Sequence, residues 1–127
     1  MAVRVTCAII EFAGKVLVVQ RSKKMNLPLK WEFPGGKIEE GELEEECIVR
    51  EIKEELNLDI EISKKLNSTE YDYRNISIEL IPFVVTQVGG QISLSEHADY
   101  KYLSKNELLN LDWAEADFPI VKEYLNL

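Results

Sequence analysis

Apolar residues in this chain run together or alternate over most of its length, and only a few stretches show helical spacing. "AVRVTCAIIEF" (2–12) and "KVLVVQRS" (15–22) are rich in β-branched and apolar residues, so they predict two strands joined near Gly14. "KKMNLPLKW" is polar with a proline and reads as a surface loop, and Pro34-Gly35-Gly36 reads as a turn. From Leu43 to Leu56 the spacing becomes helical. Ile48, Ile52 and Leu56 fall at i, i+4 and i+8, with Val49 beside them. "LDIEISKKLNSTEYDY" (58–73) and "NISIELIPFVVTQV" (75–88) then read as strands, Gly89-Gly90 as a hairpin turn, and "QISLS" and "DYKYLS" as further sheet. Ser104 is placed to cap a short helix through Leu109. "ADFPIVKEYL" predicts a closing helix with Ile120, Val121, Tyr124 and Leu125 on one side. Strands and helices mix with no repeat or linker, which predicts a single α/β domain over 1–127, one sheet system with helices packed on it.

Composition changes that picture little, but charge changes it more. The chain is 46% apolar and 30% charged, an ordinary globular balance. Its net charge is −8, and nine of the 23 acids lie between Glu39 and Glu55 with only Arg50 and Lys53 to offset them. Outside that stretch 14 acids face 13 bases. The acidity is local. It argues against non-specific binding of duplex nucleic acid and leaves room for a bound metal. Cys7 and Cys47 are far apart with apolar neighbours, and no C-x-x-C or His cluster offers a zinc site, so both read as reduced core cysteines. Neither a signal layout nor a membrane-length apolar run is present in "MAVRVTCAII" or elsewhere, so a cytoplasmic domain is expected.

Glu51, Glu54 and Glu55 stand at i, i+3 and i+4, so their carboxylates leave one helix face beside the apolar stripe. Glutamate is a good helix former, and a merely solvated face is the bland alternative. The scarcity of compensating bases and the preceding glycine turn favour a hard divalent cation instead. Mg²⁺ or Mn²⁺ takes oxygen donors of this kind.

The spacing resembles the Nudix hydrolase signature, G-x₅-E-x₇-R-E-U-x-E-E-x-G-U, where U is a bulky aliphatic residue. Gly36, Glu42, Arg50, Glu51, Ile52, Glu54, Glu55 and Leu58 match eight of its nine specified positions. Asn57 stands where the family has glycine; asparagine tolerates the left-handed conformation that ends helices, so the cap is expected to persist. "WEFPGGKIEEGE" is similar to the same segment of MutT-type members, and the likeness spans almost the whole chain. It implies the Nudix α/β/α sandwich around a mixed sheet. It also implies metal ligation by the Gly35 carbonyl with Glu51, Glu54 and Glu55, supported by Glu42 and Arg50, and a metal-binding or water-deprotonating role for Glu96 in "SLSEHADY".

The resemblance further implies hydrolysis of nucleoside triphosphates, modified ones such as 8-oxo-dGTP included, to the monophosphate and pyrophosphate. Arg21 and Arg74 match arginines placed around the substrate, although both could be ordinary surface residues. Glu32 and Phe33 would touch the nucleoside, and Phe33 could equally be core. Asp117 replaces a base-reading asparagine. Ionised, it only accepts hydrogen bonds and suits a base presenting an amino group, such as cytosine; it could also cap the last helix. His97, the one histidine, is expected in the loop after Glu96 without a catalytic role. The competing functions are a CTP or dCTP pyrophosphohydrolase, a hydrolase of another nucleoside diphosphate derivative, and a non-catalytic nucleotide-binding module. The expected partner is a nucleotide, with no membrane, and the protein is expected to be a monomer or homodimer.

Overall fold

The computed structural model describes residues 2–73 and 75–127. The substrate-contact expectation for Arg74 therefore lies outside the described residues. Two long strands, β1 (Val3–Phe12) and β7 (Ile76–Gly90), run parallel through the centre, from Val3 beside Ile78 to Glu11 beside Thr86. β2 (Lys15–Gln20) returns from β1 through a two-residue turn in which Ala13 (φ 52°) and Gly14 (φ 79°) are both left-handed. That backbone matches the twist of an antiparallel hairpin.

Five further strands complete a mixed sheet. β3 (Trp31–Glu32) pairs with β2, β4 (Gly35–Lys37) with β1, and both β5 (Leu58–Lys65) and β6 (Thr69–Tyr73) with β7. β8 (Asp99–Leu103) lies along β2. β1 changes partner part-way, pairing with β4 at Val5–Cys7 and with β2 at Ile10–Phe12. Between the two, the Ala8 N–H donates to the Pro34 carbonyl at 2.8 Å.

Alternation along β1 divides the core. Cys7 and Ile9 join one apolar cluster, with Leu108 of a short 3-10 helix (Lys105–Asn110) and Ile120, Val121 and Tyr124 of α2 (Phe118–Leu125). Ala8 and Ile10 join the other, with Ile48, Ile52 and Leu56 of α1 (Glu44–Leu56). Helices therefore cover both faces of the sheet, giving the α/β/α sandwich expected. No helix among the described residues is long and apolar enough to cross a membrane.

Several local expectations are corrected. Gly35 and Gly36 are strand residues of β4, because they lie along β1 rather than reversing the chain. Residues 58–73 form two strands, with the Leu66 N–H donating to the Pro82 carbonyl between them. Gly89 and Gly90 are not a hairpin turn. They extend β7 opposite Asp59 and Leu58, and a Cβ on Gly90 (φ 88°) would come within 2.3 Å of the Asn57 carbonyl. The glycine permits close approach to the end of α1. "QISLS" adds no strand, Val49 is exposed, and Cys47 takes the buried position beside Ile48.

α1 ends where the signature predicts. Asn57 adopts φ 59°, ψ 35°, its N–H donates to the Lys53 carbonyl, and its side-chain amide donates to the Gln91 carbonyl. Left-handed backbone costs an alanine about 1–2 kcal/mol, whereas the short polar side chain of asparagine eases it by hydrogen bonding. Asn57→Ala should therefore lower the unfolding free energy by about that amount, and Tm by roughly 4–8 °C for a chain of this size. Asn57→Gly should leave Tm within a few degrees. Calorimetry of the two variants checks this, and equal Tm values for both would show that the cap carries no strain.

Candidate active site

Four polar residues of α1 flank its buried stripe, and their exposure is graded. Glu54 is 59% exposed at its side chain and Glu51 15%, while Glu55 is mostly buried. Arg50 is the cation that holds this face together. Its Nε and Nη2 donate to Glu42 at 2.6 and 2.9 Å, and its Nη1 donates to Glu51 at 2.9 Å and to Glu54 at 3.1 Å. The fork geometry of a guanidinium suits this multiple pairing. The hydrogen bond from Arg50 is the main reason the Glu42 carboxyl is lowered to about 2. The same bond raises Arg50 further above its ordinary range.

Glu51 lies against the backbone of β4. A Cβ on Gly36 would fall 2.3 Å from its carboxylate, so the second glycine of β4 makes room for an acid. Glu55 is in a different state. Burial first, then the charges of Glu51, Glu32 and Glu96, push its carboxyl up to about 8. Its Oε1 is buried with no partner among the described residues.

Glu96 reaches this place through the C-terminus of α1. The last carbonyls of a helix lack partners within it. Here the N–H groups of Ser93 and Ser95 donate to Leu56 and Glu55, and the Ala98 N–H donates to Gln20. Residues 91–95, expected as sheet, are instead part of a loop over 91–98 laid across the helix end. It brings Glu96 and His97 to a cleft of about 290 Å³ lined also by Glu55, Gly35, Arg21 and Glu32.

A second cleft, about 210 Å³, opens on the other side of Arg21 and Glu32, with walls from Leu27, Tyr73, Ile78 and Leu80 and with Asp117 at its base. Trp31 sets the position of Asp117. Its N–H donates to the Asp112 carbonyl, and its own carbonyl accepts from Ala114, which draws residues 112–117 alongside β3. Asp117 precedes α2 but makes no side-chain cap. Its Oδ2 instead accepts the Phe33 N–H at 2.9 Å. Burial foremost, and then the Glu32 charge, push its carboxyl well above the usual range. The Phe33 ring sits in the core 4.9 Å from Trp113, so its contribution to this cleft is the N–H that orients Asp117.

Glu32 is shared by both clefts. Its Oε1 accepts from Arg21 Nη1 and its Oε2 from His97 Nε2, each at 2.8 Å. The sequence assigned no part to His97 or Tyr73. The pairing of the one histidine with the residue before it, Glu96, was the available signal for the first. For Tyr73, whose hydroxyl accepts the Ala116 N–H at 3.2 Å, there was none. A larger cleft of about 520 Å³ lies elsewhere, near Glu11, Lys15 and Tyr124. There the one acid, Glu11, is already engaged by the Tyr124 hydroxyl at 2.5 Å.

No three carboxylate, imidazole or thiol groups among the described residues converge as a closed metal cage, and Arg50 engages Glu51 and Glu54. The donors nevertheless fit a hard divalent ion. They are carboxylate oxygens, one of them buried without a partner among the described residues, and the Glu55 carboxyl is pushed toward its neutral form by burial first and then by neighbouring charges that a cation would offset.

A family model for the NUDIX domain matches residues 1–124. The CTP pyrophosphohydrolase of Escherichia coli K12 is 31% identical over 125 residues, spanning 98% of this chain and 93% of that protein. The 8-oxo-dGTP diphosphatase of Proteus vulgaris is 36% identical over 80 residues, 63% of this chain and 71% of its own length. The solution structure of MutT from methicillin-resistant Staphylococcus aureus 252 superimposes with a TM-score of 0.80 at 40% identity, covering 99% of this chain and 97% of that one. Together with the sandwich fold and the glutamate-bearing helix that follows β4, this match along nearly the full chain shows that the protein belongs to the Nudix family of hydrolases.

Proposed function

We propose that this Nudix hydrolase is a pyrophosphohydrolase of nucleoside triphosphates that depends on Mg²⁺, with Mn²⁺ as an alternative, and releases the monophosphate and pyrophosphate. The observation that carries the reading is the pair of clefts meeting at Arg21 and Glu32. One is walled by apolar side chains with a carboxyl at its base, which suits a nucleobase. The other is lined by acids, which suits a metal-bridged phosphate chain. Relatives named for CTP and for 8-oxo-dGTP support the substrate class.

In this reading Glu51, Glu54, Glu55, Glu96 and the Gly35 carbonyl would hold the divalent ions. Bound there, such ions screen the anionic phosphates and make a water nucleophilic at neutral pH. Arg50 orients Glu51 and Glu54 through its Nη1 and ties them to Glu42. Arg21, fixed by Glu32 and by the Asn26 carbonyl, supplies positive charge where the two clefts meet. Glu55 and Glu96 face the same cleft and are the groups placed to take a proton from the attacking water. Phe33 holds one oxygen of Asp117, which leaves the other for the base.

Hydrolysis should stop in EDTA and return on adding Mg²⁺ or Mn²⁺. Glu54→Gln removes a charge from an exposed side chain, so kcat should fall by about 100-fold or more while the fold persists. Glu46→Gln is the control, because Glu46 only accepts from the Leu43 N–H and an amide oxygen can do the same. Pyrophosphate release across the two variants reads the difference; equal rates would return the acidic helix to a solvated face.

The Asp117 carboxyl separates the substrate readings by pH. Neutral, it carries both a donor and an acceptor; ionised, it only accepts. As pH rises through its raised range the donor is lost, so the kcat/KM ratio of cytosine to oxidised guanine nucleotides should climb. Asp117→Asn keeps a donor at every pH. It should flatten that pH dependence and shift the ratio by about tenfold, the worth of one hydrogen bond to a charged group. A ratio independent of pH in both proteins would assign base choice to other residues.

A further inference from the structure

We propose that His97 is a positioning residue that ties the loop carrying Glu96 to Glu32, so that the base-facing and carboxylate-lined clefts are held in one register. The side chain is 3% exposed, its Nε2–H donates to Glu32 Oε2 at 2.8 Å, and its Nδ1 is buried with no partner among the described residues. A ring with one of two nitrogens unsatisfied is a poor core filler, so the bond to Glu32 is what the position provides. Backbone bonds anchor the loop at Ser93 and Ser95 on one side and at Ala98 on the other. Between those anchors, across Glu96 and His97, the imidazole is the tether.

Glu32 is the other end of that tether and borders both clefts, as does Arg21, which holds its second oxygen. A shift of Glu32 on contact with a base is therefore passed through one hydrogen bond to the residue next to Glu96. The inference rests on the proposed reading only in taking the Glu32 side as base-facing. The tether itself does not depend on the substrate.

Two variants and one spectrum test it. His97→Leu keeps bulk but removes the donor; His97→Gln keeps an N–H able to reach Glu32. In His97→Leu, hydrogen exchange at residues 95–98 should speed by about tenfold or more, as expected for losing a bond to a charged group, while α1 and β7 exchange as before. With a nucleoside triphosphate, kcat should fall by roughly 10- to 100-fold and KM should move far less, because the loss is of alignment rather than of binding. His97→Gln should restore both. In the wild type, the Nε2 proton should appear as a slowly exchanging imidazole resonance, a measurement that does not need the leucine variant to fold. Unchanged loop exchange in His97→Leu, faster exchange spread evenly over the chain, a folded His97→Gln that restores nothing, or absence of that resonance each overturns the proposal. Failure of the wild type to cleave any nucleoside triphosphate would instead remove the proposed function, and the exchange data would still decide the role of His97.

Discussion

Negative charge crowded on α1 is the constraint around which the rest of the site is arranged. Among the described residues, Arg50 is the one cation that bonds Glu42, Glu51 and Glu54 together. Glu55, one turn on from Glu51, is out of that bonding and half-buried, and the lost solvent pushes its carboxyl toward neutrality. A helix so loaded is tolerable because the stripe beside these acids is apolar and packs against the sheet. Ile48, Ile52 and Leu56 are fully buried, and losing such a side chain to alanine costs about 2–5 kcal/mol. Packing holds the acids in place against their mutual repulsion, which at exposed helical spacing is worth only a few tenths of a kcal/mol per pair.

The end of that helix does a second job. Its unpaired carbonyls are satisfied by the 91–98 loop, and the same bonds carry Glu96 to Glu55. Gly90 and Asn57 make the junction possible, the first by leaving out a Cβ that would meet the Asn57 carbonyl and the second by turning the chain left-handed. A local requirement of every α-helix is thus met by a segment that brings a distant acid into the cleft.

Glu32 joins this acidic half to the apolar half. Arg21 and His97 take one oxygen each, so the carboxylate is held from two sides, and the residue after β2, the end of β3 and the 91–98 loop share one hydrogen-bonded row. Asp117 is drawn in from the far end of the chain by the pairing of Trp31 with residues 112–114. Its carboxyl loses solvent there, and that loss is the main reason it is pushed well above the usual range.

Spacing by itself determined the helix from Leu43 onward, its buried stripe, the face bearing Glu51, Glu54 and Glu55, and the family, because helical periodicity and fixed gaps are local properties of the chain. It also placed most strands, for the same reason. Glycine pairs misled at two points. Gly35-Gly36 and Gly89-Gly90 read locally as turns, yet both lie in strands, where a Cβ on Gly35, Gly36 or Gly90 would collide with a distant neighbour. Only tertiary structure decided that Phe33 is core while its N–H holds Asp117, that Asp117 is buried rather than a cap, and that His97 closes on Glu32 across 65 positions. Those outcomes depend on desolvation and on contacts between remote segments. No local pattern encodes either.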